Sequence, residues 1–152
     1  MDASLVRFLQ RPVMIILGTV DTAARPEIGR AVGVTPDARG VELVVSGWQW
    51  PGTIANIRAT GRAAATFSRP SDYETYQIKG RASLRAATEA DEAIARSYCR
   101  DALAALMDLG VAPGLVEHWQ ATRDLVVVSL IPDAVFVQTP GPRAGQRLGG
   151  LA

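Results

Sequence analysis

Three short stretches carry the residue types from which a binding site can be built. The first is Arg30-Ala31-Val32-Gly33, within a segment where Gly29, Ala31 and Gly33 alternate. Alternation puts those three on one face of a strand, and glycine in a strand often marks close approach of a ligand or another backbone. A flat aromatic ligand on that stripe and tight packing against a neighbouring sheet or subunit are both consistent with it. The second is Ser46-Gly47-Trp48-Gln49-Trp50-Pro51-Gly52-Thr53, leading into a helical segment that contains Asn56. Backbone N–H groups at a helix start favour an anion such as phosphate. Trp48 and Trp50 suit the wall of a pocket, an interface, or plain packing above a capped helix. The third is Gln77-Ile78-Lys79-Gly80-Arg81, where Gln77, Lys79 and Arg81 share one strand face. On an inner face these polar chains need a ligand to satisfy them. On an outer face, the commoner case, water does so.

Other chemistries are excluded or set aside. One cysteine, Cys99, excludes an internal disulfide and a cysteine-rich metal site. One histidine, His118, excludes an HExxH metal motif. The two lie on different predicted helices, so a nucleophilic Cys–His pair is set aside. Cys99 reads as a small helix-face residue, and His118 as a helix-terminal or surface residue rather than an axial metal ligand. No GxGxxG follows a strand, and neither a P-loop nor a GxSxG motif occurs. The net charge of +1 gives no field for gripping nucleic acid or an anionic membrane. The start, Met1-Asp2-Ala3-Ser4, lacks a basic, apolar leader. The apolar run Val13 to Leu17 is too short to span a bilayer. A cytoplasmic protein is the expectation. The arginine- and alanine-rich composition, with Lys79 the only lysine, suggests a bacterial source.

The elements that must position these stretches follow from the pattern. At 152 residues, 48% hydrophobic, the chain fits one domain over 1–152, with a core of about 10–140. The tail 141–152, rich in Gly, Pro and Arg, is expected to be extended or mobile. Strands are predicted at Val13–Val20, Glu27–Thr35, Val41–Ser46, Arg62–Ser68, Tyr73–Leu84, Leu125–Ile131 and Ala134–Gln138. A short helix fits Ser4–Gln10 and another Gly52–Thr60, stopped by Gly61. Thr88 caps a long helix running to about Leu109, with Ala90, Ile94, Tyr98, Ala102, Leu106 and Leu109 on its buried face. A short helix fits Val116–Trp119. The early connections leave no room for helical crossovers, so the pairing is antiparallel. The fold expected is mostly β with α insertions: an antiparallel six- to seven-stranded barrel, with one long and two short helices.

Taken in order, these segments resemble the pyridoxamine 5'-phosphate oxidase-like family, the flavin-binding split β-barrels of Greek-key type. The matching residues are Ile16-Leu17-Gly18-Thr19-Val20-Asp21 with Arg25-Pro26, and Arg30-Ala31-Val32-Gly33-Val34. They continue with Asn56-Ile57-Arg58, Gly61-Arg62-Ala63-Ala64 and Tyr76-Gln77-Ile78-Lys79-Gly80-Arg81-Ala82. The resemblance implies a homodimer with FMN sites at the subunit interface. It implies cofactor contacts from Arg30, Ala31, Val32, Gly33, Ser46, Gly47, Trp48, Gly52, Thr53, Asn56, Gln77 and Lys79. Arg30 or Lys79 would meet the phosphate with the Gly52 and Thr53 amides, and Gln77 and Trp48 would stand beside the ring.

The chain departs from the family in one respect: no Lys or Arg lies between Gly47 and Ala55, where tight FMN binders carry one. A missing charge-assisted bond costs about 1.5–3 kcal/mol, roughly tenfold to hundredfold in affinity. The expected function is a flavin-dependent oxidoreductase acting on a small molecule, without the vitamin B6 reaction and with no residue assigned to catalysis. The alternatives are the same fold with F420 or haem, or a non-catalytic ligand-binding or stress-related module.

Overall fold

In the computed structural model, residues 2–37 and 39–149 are described. The elements in chain order are α1 (Ala3–Leu9), β1 (Met14–Val20), β2 (Pro26–Arg30), β3 (Val34–Pro36), β4 (Val41–Ser46) and α2 (Pro51–Thr60). They continue with β5 (Arg62–Ser68), β6 (Thr75–Ala86), α3 (Glu89–Asp108), α4 (Pro113–Glu117) and β7 (Leu125–Val137). The strands form one antiparallel sheet in the order β2-β1-β5-β6-β7-β4-β3. β5 returns beside β1 after the run β1-β2/β3-β4, which is a Greek-key arrangement.

The segment expected as one strand, Glu27–Thr35, is two. β2 and β3 lie at opposite edges of the sheet, joined only by Ala31-Val32-Gly33. These residues change hydrogen-bond partner midway. Ala31 N donates to Ile15 O on β1 at 3.4 Å, while Val32 N donates to Val44 O on β4 at 2.7 Å. Val44 N in turn donates to Gly33 O at 3.0 Å. The two edges are thereby brought together and the sheet closes as a split barrel.

The two strands expected at Leu125–Ile131 and Ala134–Gln138 are one, β7. Its register against β6 passes from Lys79↔Ala134 to Gly80↔Pro132, so Asp133 is the extra residue of a bulge. Gly80 admits the bulge, because a Cβ there would collide with the Ile131 carbonyl. The described tail folds back on β7 where β4 no longer covers it. Gly145 N donates to Val137 O and Leu148 N to Val135 O, both at 2.8 Å. The last three positions of the expected tail, 150–152, lie outside the described residues.

Alternation fills the barrel. Ile15, Leu17, Leu43, Val45, Ala65, Phe67, Ile78, Val128 and Leu130 point inward and are buried. α1 closes one end, where the Phe8 and Tyr76 rings meet edge to face at 4.9 Å. α2 closes the other with Ile54 and Ile57, and ends on Gly61 at φ 63°, a left-handed stop that suits glycine.

α3 packs on the outside of the sheet, over Val32, Val44 and Val127. Its buried face runs through Asp91, Ala95, Ala102 and Leu106, whereas Ala90 and Leu109 are exposed, contrary to expectation. At the helix start the inward place is taken by Asp91, paired with Arg85 at 2.7 Å. α4 begins at Pro113 rather than Val116, proline being well suited to a first helical position. With α1, the described residues hold four helices rather than one long and two short.

Candidate functional site

One outer face of the barrel carries no helix among the described residues. The register defines two adjacent rows across it. One row is Ile28, Gly18, Ala64 and Lys79 on β2, β1, β5 and β6. The next is Arg30, Ile16, Thr66 and Gln77 on the same strands. Alternation toward solvent would call for polar residues at all eight places. Four are Gly18, Ala64, Ile16 and Ile28, and Ile28 is 65% exposed. Small and apolar side chains in that pattern form the kind of surface that interaction sites use.

A groove of about 340 Å³ runs along the first row. Gly18 and Ala64 are its floor, and Val20, Pro26 and Ile28 form one wall. Lys79 and Arg62 stand at its β6/β5 side, and Glu27 at its β2 side. The size falls at the lower end of small-molecule pockets, about 300–1,000 Å³. Arg62 reaches Asp133 at 3.1 Å. Lys79 Nζ lies 5.1 Å from the Phe136 ring centre. Gln77, in the neighbouring row, donates to Thr66 Oγ1 at 2.9 Å.

Of the twelve residues singled out in the sequence, three share this outer face: Arg30, Gln77 and Lys79. The Arg30 guanidinium is stacked on Trp119 at 4.5 Å. The small-residue stripe does not form a platform. Gly29 takes α2 against it, with Thr53 Oγ1 2.5 Å from where its Cβ would be. Ala31 lies in the core, Val32 beneath α3, and Gly33 against Ile94 and Val44. Of the two readings of that stripe, the geometry gives close packing, here against helices.

The second stretch divides in the same way. Ser46 Oγ donates to Arg123 O at 2.7 Å, and Gly47 N to Asp124 O at 2.8 Å. Trp48 is 53% exposed with Arg123 5.1 Å above its ring, away from the groove. Asn56 turns inward and donates to Thr19 Oγ1 at 3.1 Å, tying α2 to β1. Gly52 and Thr53 start α2, which has Pro51 in its first turn and no side-chain cap.

That start does not fit a phosphate. The Glu27 carboxylate lies against Gly52, where a Cβ would collide with it. A carboxylate already supplies the negative charge that the helix start favours. A dianionic phosphate beside it would meet like charge with no Lys or Arg between Gly47 and Ala55 to offset it. Thr53 Oγ1 is buried without a hydrogen-bond partner among the described residues, and it faces Gly29 rather than the groove. The groove itself suits a flat ring: a nearly side-chain-free floor, apolar walls and two cations at one side.

Sequence reasoning missed Gly18, Ala64, Ile28, Arg62 and Glu27 as groove residues. The available signal was alternation: apolar or small residues at outward positions of β1, β2 and β5. A second cleft, about 220 Å³ between α1, α3 and β3, holds none of the expected residues. Among the described residues, no helix is long and apolar enough to cross a membrane.

No family model matches the sequence, and no curated protein does. Solved structures do match. A pyridoxamine 5'-phosphate oxidase-related, FMN-binding protein from Nostoc punctiforme is 14% identical, with TM-score 0.54, over 92% of this chain and 84% of that one. HutZ, the heme storage protein from Vibrio cholerae, is 15% identical with TM-score 0.52, over 90% and 93%. An F420 reductase is 15% identical with TM-score 0.56, over 85% and 93%. The chain shares the split β-barrel fold of these structures. The names of these three proteins point to FMN, heme and F420, so the likeness shows the fold and leaves the ligand open.

Proposed function

We propose that this protein is a homodimer that binds FMN on the uncovered face of β2-β1-β5-β6 and acts as a flavin-dependent oxidoreductase on a small molecule. The observation that carries the reading is the groove floored by Gly18 and Ala64, with Lys79 and Arg62 beside it. Its apolar floor suits a ring lying flat, and its cations suit a phosphate. A second copy packed on the same face would cover Ile16 and Ile28 and complete the site. When bound, FMN supplies the electron transfer; the chain supplies binding, orientation and exclusion of water. Gln77, on the row beside the groove, would meet the ring's polar edge.

The test is the visible absorption spectrum of the purified protein, with any chromophore released and identified by mass. Released FMN, with turnover that depends on a reductant, is the expected result. A colourless protein that takes up no FMN on titration overturns it.

One observation favours a second reading, the same fold with F420 or haem. The start of α2 holds Glu27 instead of a basic residue, which weakens the case for a phosphate there. For haem, His118 is the single histidine. Its Nδ1 lies 2.8 Å from Gly114 O, at the end of α4 and outside the groove. Haem binding that survives His118→Ala removes axial ligation by that residue.

A further inference from the structure

The uncovered face ends in two unlike ways. At one end the outward row across β5, β6 and β7 is Arg62, Arg81 and Ile131. The bulge residue Asp133 pairs with Arg62 at 3.1 Å and Arg81 at 3.9 Å, and its carbonyl accepts from Arg147 at 2.9 Å. Lys79 lines the groove together with Arg62, so this corner sets four cations against one carboxylate among the described residues. Val20 and Ile131 stand at the same end, each 37% exposed. At the other end the β5–β6 turn holds Tyr73, 67% exposed and at φ 60°. That left-handed conformation is costly for a bulky residue. Arg69 stiffens the turn, gripping Asp72 at 2.6 and 2.9 Å and pairing with Glu74. Charge is balanced there, Arg69 and Arg143 against Asp72 and Glu74. Gln77 lies midway on β6, four residues from Tyr73 and four from Arg81, about 13 Å each way at about 3.3 Å per residue. Ile16 shares its row.

Resting on the homodimer reading above, we propose that two copies pack these faces with their ends exchanged about the row of Ile16 and Gln77, so that the partner's Tyr73 docks at the groove mouth against Val20, Arg62 and Arg81. A two-fold axis running across the strands makes the contact twice. The ring covers exposed apolar surface, and its face meets a guanidinium. Val20 and Arg62 line the groove, so the partner's Tyr73 becomes part of the site. The opposite arrangement, like end on like end, sets two basic corners against each other, which is repulsive. It also leaves the strained Tyr73 in water. With the ends exchanged, each basic corner meets a balanced turn.

The experiment is disulfide cross-linking of the full chain carrying Cys99→Ala, which removes the native thiol. Tyr73→Cys and Arg81→Cys are made singly and together. Within one chain the two positions lie roughly 26 Å apart along β6, far beyond the disulfide limit of about 7 Å, so a bond between them joins two copies. Oxidation is expected to convert most of the double variant to a covalent dimer and to leave both single variants monomeric on a denaturing gel. Cross-linking of either single variant, which needs like ends together, overturns the proposal, as does a double variant that does not cross-link. Tyr73→Gly gives an independent readout. Glycine suits φ 60°, so the fold is kept, and loss of the ring is expected to raise the dimer Kd about tenfold or more in sedimentation equilibrium. An unchanged Kd overturns the proposal. A native chain that sediments as a monomer takes down the homodimer reading itself; a dimer whose like ends cross-link takes down this arrangement alone.

Discussion

The two outer faces of this barrel are made from one continuous sheet and are treated in opposite ways. Over β3, β4 and β7, α3 covers Val32, Val44 and Val127, and Ala95 packs into them. A charged network pins that cover. Arg85 pairs with Glu42 at 2.6 Å and Asp91 at 2.7 Å, joining β6, β4 and α3. Asp91 also completes a capping box with Thr88. Over β2, β1, β5 and β6 no helix intervenes, and small or apolar residues face outward. A face covered from within the chain contributes stability. A face left apolar and uncovered is free to take something from outside the chain. Substitutions on the first face should therefore cost stability, and those on the second should cost binding.

The largest effect on stability is expected at Asp91, which is 6% exposed. Asp91→Ala removes the side-chain half of the capping box, keeps the Thr88 cap, and leaves Arg85 with Glu42 alone, costing about 2 kcal/mol, measured by urea unfolding. Flavin binding should be unchanged if the two faces are independent. The same residue sets an acid limb. Hydrogen bonds from Arg85 and Thr88 hold the Asp91 carboxyl well below the usual carboxylate range, and Arg85 lowers Glu42 as well. Groups with lowered pKa stabilise the fold above their unfolded value, about 4, and that contribution is lost as pH falls through the folded value. Stability should drop progressively below about pH 4, and Asp91→Asn should flatten the drop.

A smaller effect is expected between the two faces. Thr53 buries a hydroxyl without a partner among the described residues. Thr53→Val should therefore raise stability by about 1 kcal/mol in thermal or urea unfolding. A loss of similar size would mean that the hydroxyl is used. The smallest effect on stability, within about 0.5 kcal/mol, is expected from Ala64→Arg on the uncovered face. That substitution fills the groove floor, so it should abolish flavin binding and the dimer. A variant that still binds flavin would place the ligand elsewhere.

Much of the barrel was legible because its signals are local. Alternation marks β1, β4 and β5, Gly61 stops α2, and Thr88 with Asp91 starts α3. What was not legible depends on partners far along the chain. Nothing within Glu27–Thr35 says that its hydrogen bonds pass from β1 to β4 at Ala31–Val32, because closure of the barrel decides that. Pro132-Asp133 reads as a break until Gly80 is seen to absorb the bulge. The site divides similarly. Lys79, Gln77 and Arg30 stand out by type and share the uncovered face. Ser46, Thr53 and Asn56 have equally suggestive types but serve the packing of α2 and its neighbouring loop. Glu27 looks like an ordinary strand residue, and its meaning appears only when Gly52 is brought against it.

The central claim is that the uncovered face serves both dimerisation and cofactor binding. The most direct test is sedimentation velocity of the protein mixed with FMN, followed at the flavin's visible absorption band. The flavin signal is expected to move with a dimer. Flavin that remains unbound, or that moves with a monomer, contradicts it.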